Sequence, residues 1–170
     1  MNRFARMGRL LAPVALCASM GLGLVACGGG DDQPEQTPAQ FMASVAKQPG
    51  VHVLKDGLAY KVIKSGPKDA PSPRKGSMMM IIYEGRLPDG AIFDSSEMHT
   101  GAAYMEMPLD GVIEGWMQAL PMMHVGDIWE LYVPPKLGYG DRALGVIPPN
   151  SPLIFKIQLL GVDDGNNQQQ

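Results

Sequence analysis

Residues 112–120 read VIEGWMQAL and form the best helix candidate in a chain of 170 residues that otherwise favours strands and loops. Asp110 is placed to cap the start of this segment, and Pro121 to end it. The spacing therefore predicts a helix over 112–119 that buries one face, with a large indole at its centre. Its apolar positions are Val112, Ile113, Trp116 and Leu120.

The segments on either side of this helix read as strands. Short runs in which apolar and polar side chains alternate are typical of half-buried strands, and Leu87-Pro88-Asp89-Gly90 has the turn chemistry of a hairpin. Gln40 to Lys47 could add one or two helical turns before Pro49-Gly50. Several antiparallel strands with one short helix indicate an α+β domain whose sheet curls over that helix. The predicted strands cover residues 58–63, 77–83, 91–93, 128–133 and 153–162.

The first 26 residues differ in character from the rest. Three arginines precede an uncharged apolar run over 10–26, a pattern typical of a cleaved export signal and too short and broken for a convincing membrane span. The run ends in Leu24-Val25-Ala26-Cys27, which resembles the lipobox of bacterial lipoprotein precursors. We therefore expect residues 1–26 to be a signal peptide and Cys27 to carry lipid, which leaves no cysteine in the mature chain for a disulfide.

Composition then divides the remaining chain. Residues 27–40 are rich in Gly, Pro, Gln and acid, so they predict a flexible tether, and 163–170 predict a polar tail. The folded domain is expected over 41–162, with 41–50 as a short helical lead-in.

The charge distribution argues against nucleic acid as a partner. The formal net charge is −3, and Lys and Arg are scattered rather than gathered into a stripe. Loss of residues 1–26, which hold three Arg and no acid, would change the net charge from −3 to −6. Attachment to a membrane would therefore depend on acyl chains and not on a basic patch.

Motifs for common enzyme chemistries are missing or weak. Ser95 and Ser96 lack a Gly-x-Ser-x-Gly elbow, and the three histidines have no zinc-site spacing. Met-His pairs at 98–99 and 123–124 suit copper, although Met is also a common core filler, so a copper-handling lipoprotein stays a minor alternative. Asp94, taken alone, is better explained as a turn former than as a catalyst. We expect no metal and no cofactor.

A series of short segments, in a fixed order over residues 41–162, nevertheless points to one family. The segments are GLAYKVI (57–63), IYEG (82–85), DG (89–90) with FDSS (93–96), VIEGW (112–116), VGD (125–127) with WELYVP (129–134), LGYG (137–140), and IPPN (147–150) with LIFKI (153–157). In this series the chain resembles the FKBP-type peptidyl-prolyl cis-trans isomerases, particularly exported bacterial members related to macrophage infectivity potentiators. The resemblance implies a five- or six-stranded antiparallel half-barrel wrapped around one short helix, with an apolar proline pocket between helix and sheet.

The resemblance also implies roles for individual residues. Tyr83, Phe93 and Asp94 would be catalytic, with Asp94 near the twisting carbonyl and held in position by Tyr83. The activity implied is rotation about Xaa-Pro bonds of exported proteins, without covalent or acid-base chemistry. The backbone N–H of Ile113 and the hydroxyl of Tyr139 would hold the peptide, and Trp116 would be the floor of the pocket. The substrate-binding positions implied are Val112, Ile113, Trp116, Tyr139, Ile147 and Phe155.

Two segments differ from the best-known members of that family. Ala103 stands where an aromatic side chain often lines the pocket, and the loop 141–146 is about one residue short and lacks an aromatic or His wall. Both differences bear on substrate preference and on macrolide inhibitors, which are candidate ligands by resemblance.

The long helical dimerisation arm of the infectivity potentiators is reduced here to Phe41–Lys47, so we expect a monomer on a lipid tether. Such a protein would lie in the bacterial cell envelope, facing the periplasm. Gly28 is not the aspartate that retains lipoproteins in the inner membrane, which favours the outer membrane. The alternative function is a membrane-tethered peptide-binding or chaperone module with residual isomerase activity.

Overall fold

The computed structural model describes residues 36–100 and 104–165. The predicted signal peptide, Cys27, most of the predicted tether and Ala103 lie outside the described residues. Among the helices that are described, none has the length and apolar character needed to cross a membrane.

Short helices and antiparallel strands alternate along the described chain. Brief 3-10 turns at Leu109–Gly111, Leu120–Met122 and Pro135–Leu137 connect some of them. In order, the main elements are α1 (Pro38–Val45), β1 (Val51–Val53), β2 (Ala59–Lys64), β3 (Met78–Arg86), β4 (Ile92–Ser95), α2 (Ser96–Thr100), β5 (Met105–Pro108), α3 (Glu114–Ala119), β6 (Ile128–Val133) and β7 (Leu153–Asp163).

All strand pairs described are antiparallel, in the order β1-β2-β6-β7-β3-β4. Strand β3 has two partners on its outer edge. Its first half pairs with β5, from Met78 opposite Pro108, and its second half pairs with β4, where Glu84 lies opposite Ser95. The predicted class, an antiparallel α+β sheet around one short helix, is confirmed, and the described sheet holds seven strands.

The core lies between the sheet and α3. Alternate residues of β7 point inward, because side chains of a strand alternate between the two faces of the sheet. Leu120 and Met123, which follow α3, have no exposed surface. Burial of side chains of this size contributes roughly 1.5–3 kcal/mol each before the entropy of ordering is subtracted. The buried positions of β7 are Leu153, Phe155, Ile157 and Leu159.

The predicted helix is present but shorter than its apolar pattern suggested. Helix α3 has Ile113 at its N-cap, without a side-chain capping bond. The prediction that Asp110 caps this helix was wrong, because Asp110 lies in the preceding 3-10 turn, where its carboxylate accepts a hydrogen bond of 3.1 Å from Gly76 N. Pro121 lies in the 3-10 turn that follows α3, so the α-helix ends close to the predicted position.

Other strand boundaries differ from the predicted ones in segments where the local sequence pattern is weak. Strand β1 spans only three residues, too few to show alternation, and it depends on pairing with β2. Strand β5 lies in a methionine-rich stretch that gave no strand prediction. Strand β7 runs to Asp163, and the Asp164 carboxylate accepts hydrogen bonds from Arg74 and Ser77. The first residues assigned to the polar tail are therefore fixed to the domain.

A second, smaller cluster covers the outer face of the sheet. Helix α1 packs there through Phe41, Met42 and Val45, against Ala59 and Tyr132. The helix begins earlier than the predicted lead-in because Thr37 and Gln40 form a reciprocal capping box and Pro38 occupies the first turn.

Replacing Gly115 by alanine is expected to destabilise the domain by about 1–2 kcal/mol. A Cβ at position 115 would lie 2.7 Å from Val133 Cγ1, and the resulting overpacking exceeds the helix-propensity gain of about 1 kcal/mol. Urea unfolding measures the change. Gly161→Ala in β7 is the control, since its Cβ would meet nothing closer than 3.6 Å. An alanine at 115 that stabilised the protein would contradict the packing described.

Candidate functional site

A cavity of about 420 Å³ opens between α3 and the inner face of the sheet. Its lining comes from β3, β4, β5, β7, the start of α3 and the loop after β6, so segments distant in sequence converge on it. Seven of the residues proposed from the sequence line it: Tyr83, Asp94, Val112, Ile113, Trp116, Tyr139 and Phe155.

Trp116 forms the floor of the cavity. It is 4% exposed and touches Tyr83 and Phe155 edge to face, with ring centroids 5.3 and 5.0 Å away and interplanar angles of 82° for both. Edge-to-face contacts of this kind stabilise an aromatic cluster by roughly 0.5–1.5 kcal/mol per pair beyond burial alone. The indole is thus held on two sides by residues that themselves face the cavity.

Two proposed site residues support the cavity without lining it. Phe93 packs edge to face on Phe155, with ring centroids 5.5 Å apart. Ile147 is buried in the core. Gly85 makes the Phe93 contact possible, because a Cβ at that position would lie 2.7 Å from Phe93 and 2.9 Å from Phe155.

The polar end of the cavity is built around Asp94. The Tyr83 hydroxyl donates to Asp94 Oδ2 over 2.8 Å, and Nε2 of His99 lies 2.6 Å from Asp94 Oδ1. Strand β3 supplies the tyrosine, β4 the carboxylate and α2 the imidazole. Both oxygens of one carboxylate are therefore engaged, which fixes its orientation toward the cavity.

Burial and the charge of Asp94 both affect the pKa values of the two tyrosines at the cavity. Burial, the Asp94 hydrogen bond and the Asp94 charge together raise the pKa of Tyr83 well above its ordinary value. Burial, followed by the charge of Asp94, also raises the pKa of Tyr139. Because both shifts are upward, the two hydroxyls stay protonated through neutral pH and remain donors.

Polar donors at the cavity are free to bind a ligand. Within residues 36–100 and 104–165, no hydrogen bond engages the Ile113 N–H or the Tyr139 hydroxyl. The Trp116 indole N–H also has no partner in that part of the chain, although it is buried. A peptide carbonyl in the cavity could accept from these groups, and buried donors gain most from such a bond.

Sequence reasoning missed four lining residues. Met107 enters because β5 pairs with β3, and that strand was not predicted. Arg142 lies in the loop after Tyr139, where no spacing rule marked it. The two others are glycines that carry no side-chain chemistry: Gly111 and Gly138.

The geometry gives little support to the other chemistries considered from the sequence, a serine nucleophile and a metal site. Ser96 is buried, and its hydroxyl lies against the backbone of Tyr83. Ser95 Oγ accepts from Met98 N over 3.3 Å, a local turn contact. Met123 has no exposed surface and packs in the core, whereas Met98 is 67% exposed. Among the residues the structure describes, no three His, Cys, Asp or Glu side chains are grouped so that they could hold a metal ion.

Comparison with known proteins identifies a family. The model of the FKBP-type peptidyl-prolyl cis-trans isomerase domain matches residues 70–160. A solved peptidyl-prolyl cis-trans isomerase from Pseudomonas syringae is 37% identical, with a TM-score of 0.67 over 74% of this chain and 90% of that one. FkpA from Escherichia coli is 35% identical, with a TM-score of 0.68 over 74% of this chain and 57% of that one.

Curated relatives carry related names. The isomerase Mip of Coxiella burnetii is 46% identical over 72% of this chain and 52% of its own length. The "Outer membrane protein MIP" of Legionella longbeachae is 41% identical over 72% of this chain and 51% of its own length. The chain thus spans about half the length of these curated relatives.

Replacing Asp94 by asparagine is expected to lower the pKa of Tyr139, because the carboxylate charge that disfavours the phenolate is removed. NMR titration of the labelled Tyr139 ring in alkaline solution measures the shift. Asp89→Asn, which removes a turn carboxylate instead, should leave that titration unchanged. An unchanged Tyr139 titration in Asp94→Asn would contradict the described electrostatics.

Proposed function

Because the chain belongs to the FKBP-type peptidyl-prolyl cis-trans isomerase family, we propose that it accelerates rotation about Xaa-Pro bonds in exported proteins. The observation that carries this proposal is the cavity itself. It has an indole floor, aromatic walls and, at one end, the oriented carboxylate of Asp94. A proline ring and the flanking backbone suit such a site.

The apolar walls account for catalysis without a nucleophile. Rotation about an Xaa-Pro bond faces a barrier of about 18–20 kcal/mol, because amide resonance holds the planar form. At the twisted transition state that resonance is lost and the carbonyl carries a smaller dipole. A water-poor, apolar site therefore disfavours the planar polar form more than the twisted one, which lowers the barrier.

The free donors orient the peptide during this rotation. The Ile113 N–H and the Tyr139 hydroxyl would donate hydrogen bonds to neighbouring carbonyl oxygens of the substrate, holding the chain while one peptide bond turns. Trp116 would lie beneath the proline ring. Phe93 and Ile147 contribute by supporting these walls from behind.

Asp94 would act by its charge. A carboxylate beside the substrate carbonyl repels the oxygen most strongly in the planar form, where the carbonyl dipole is larger. Twisting reduces that repulsion, so the charge destabilises the ground state more than the transition state. Tyr83 keeps the carboxylate oriented by its hydrogen bond. No proton needs to move in this scheme.

Tyr139→Phe is expected to lower kcat/KM for an Xaa-Pro peptide by about two- to tenfold, the cost of one lost hydrogen bond. The protease-coupled assay or NMR exchange on the full-length chain measures it. Tyr132→Phe is the matched control, since Tyr132 lies on the outer face and donates to Glu130. Wild-type protein that did not exceed the uncatalysed exchange rate would refute the isomerase proposal.

A peptide-binding or chaperone module remains the second candidate. Leu144 and Val146, in the loop that follows the cavity wall, are 51% and 70% exposed and could bind unfolded chain. Suppression of aggregation of a proline-free client would favour this function, particularly if Leu144→Ser with Val146→Ser abolished it. The cavity with its oriented carboxylate is better explained by the isomerase.

We also propose that macrolide inhibitors compete for this cavity and that the protein is a monomer.

For location, the support comes from the N-terminal sequence and from one relative's name. The lipobox-like Leu24-Val25-Ala26-Cys27 supports a diacylated Cys27 after cleavage of a signal peptide. The relative from Legionella longbeachae is named an outer membrane protein. The protein would thus be anchored in the cell envelope and face the periplasm, at the outer rather than the inner membrane.

Radiolabelled palmitate is expected to enter the wild-type protein and not the Cys27→Ala variant, since that thiol is the proposed acyl acceptor. Autoradiography of the two proteins after expression in a bacterial host makes the comparison. Cys17→Ala is the control and should keep its label, because Cys17 lies within the proposed signal peptide. Equal labelling of wild type and Cys27→Ala would exclude this anchor.

A further inference from the structure

We propose that His99 is a positioning residue for Asp94 and makes the isomerase rate depend on pH near neutrality; this rests on the proposed function. The His99 ring holds one carboxylate oxygen, while Tyr83 holds the other. The pattern of the sequence had offered His99 only as half of a Met-His pair.

The geometry separates the two supports of the carboxylate. Tyr83 is buried and approaches from the cavity floor, whereas the His99 side chain is 51% exposed and approaches from the solvent side. Asp94 is itself 33% exposed at its side chain. Next to a carboxylate, Nε2 must carry a proton to donate over 2.6 Å, which both the neutral Nε2–H tautomer and the imidazolium satisfy. The contact is therefore compatible with both forms of the ring, which differ in charge.

The other charged or ionisable groups described near this pair are tyrosines, a guanidinium and a carboxylate. Tyr83 and Tyr139 stay neutral because burial and Asp94 raise the pKa of each. Arg142 lines the same cavity, and Glu97 lies on α2 two positions before His99. Guanidinium and carboxylate groups ordinarily keep their charge between about pH 6 and 8, where only imidazole ordinarily changes it.

The direction of the effect follows from the role of Asp94. With neutral His99 the pair carries one negative charge beside the substrate carbonyl. With protonated His99 the pair is an ion pair without net charge, and its repulsion of the planar carbonyl is weaker. Catalysis at saturating substrate is then expected to slow as pH falls: kcat decreases, and KM decreases with it, because weaker repulsion of the planar form also tightens its binding.

The experiment compares pH profiles of full-length variants in the prolyl exchange assay. Wild-type kcat should fall roughly three- to tenfold from about pH 8 to about pH 5.5. His99→Gln keeps an N–H donor without a titratable charge, so its profile should be flat near the wild-type alkaline value. His99→Arg should be flat near the acidic value. His124→Gln, the matched control, should follow the wild-type profile.

Two results would overturn the proposal: an active wild type with a flat profile, or a slope that persists in His99→Gln. Wild type without isomerase activity would instead refute the proposed function. In that case the ¹³C resonance of the Asp94 carboxyl group is followed as the pH is changed. If it moves together with the resonances of the His99 ring, the pairing of the two residues is supported; if it does not move, the pairing is overturned. Each outcome thus bears on one proposal separately.

Discussion

The perpendicular contacts of Trp116 with Tyr83 and Phe155 are the constraint on which the molecule depends. They attach the short helix α3 to the inner face of the sheet, and they shape the cavity floor with the same atoms. A six-residue helix has little stability alone, so its position comes from packing. The fold and the site therefore share one aromatic cluster, so a substitution in that cluster changes both the stability of the domain and the shape of the cavity.

Glycine is what allows that cluster to close. Gly115 brings α3 against Val133, and Gly85 leaves space for Phe93 to meet Phe155. Neither glycine has a positive φ, so their role is the missing side chain rather than an unusual backbone. The shape of the site therefore depends on the missing side chains of these two glycines as well as on the aromatic rings.

Sequence reasoning predicted the elements with strong local signals. The strand predicted over 128–133 has the same bounds as β6, and the apolar face around Trp116 located α3. The prediction failed where a strand forms only because a partner strand pairs with it. Strands β1 and β5 are examples, because they are too short to show an alternating pattern. Residues that reach the site through those elements, such as Met107, were missed for that reason.

The partnership of Asp94 and His99 shows a different limit. The two residues are five positions apart, and their contact depends on how the short helix α2 follows directly on the end of β4. No spacing rule covers such a junction. The family resemblance identified the carboxylate and its tyrosine, whereas the contact with His99 is visible only in the folded structure.

Helix α1 has a consequence for orientation. It packs on the outer face of the sheet, against Tyr132 and Ala59, while the cavity opens on the inner face. The described chain thus enters the domain from the side away from the cavity. Helix α1 accordingly contributes no residue to the lining of the cavity, and the two faces of the sheet carry separate tasks: one anchors the helix and the other shapes the cavity.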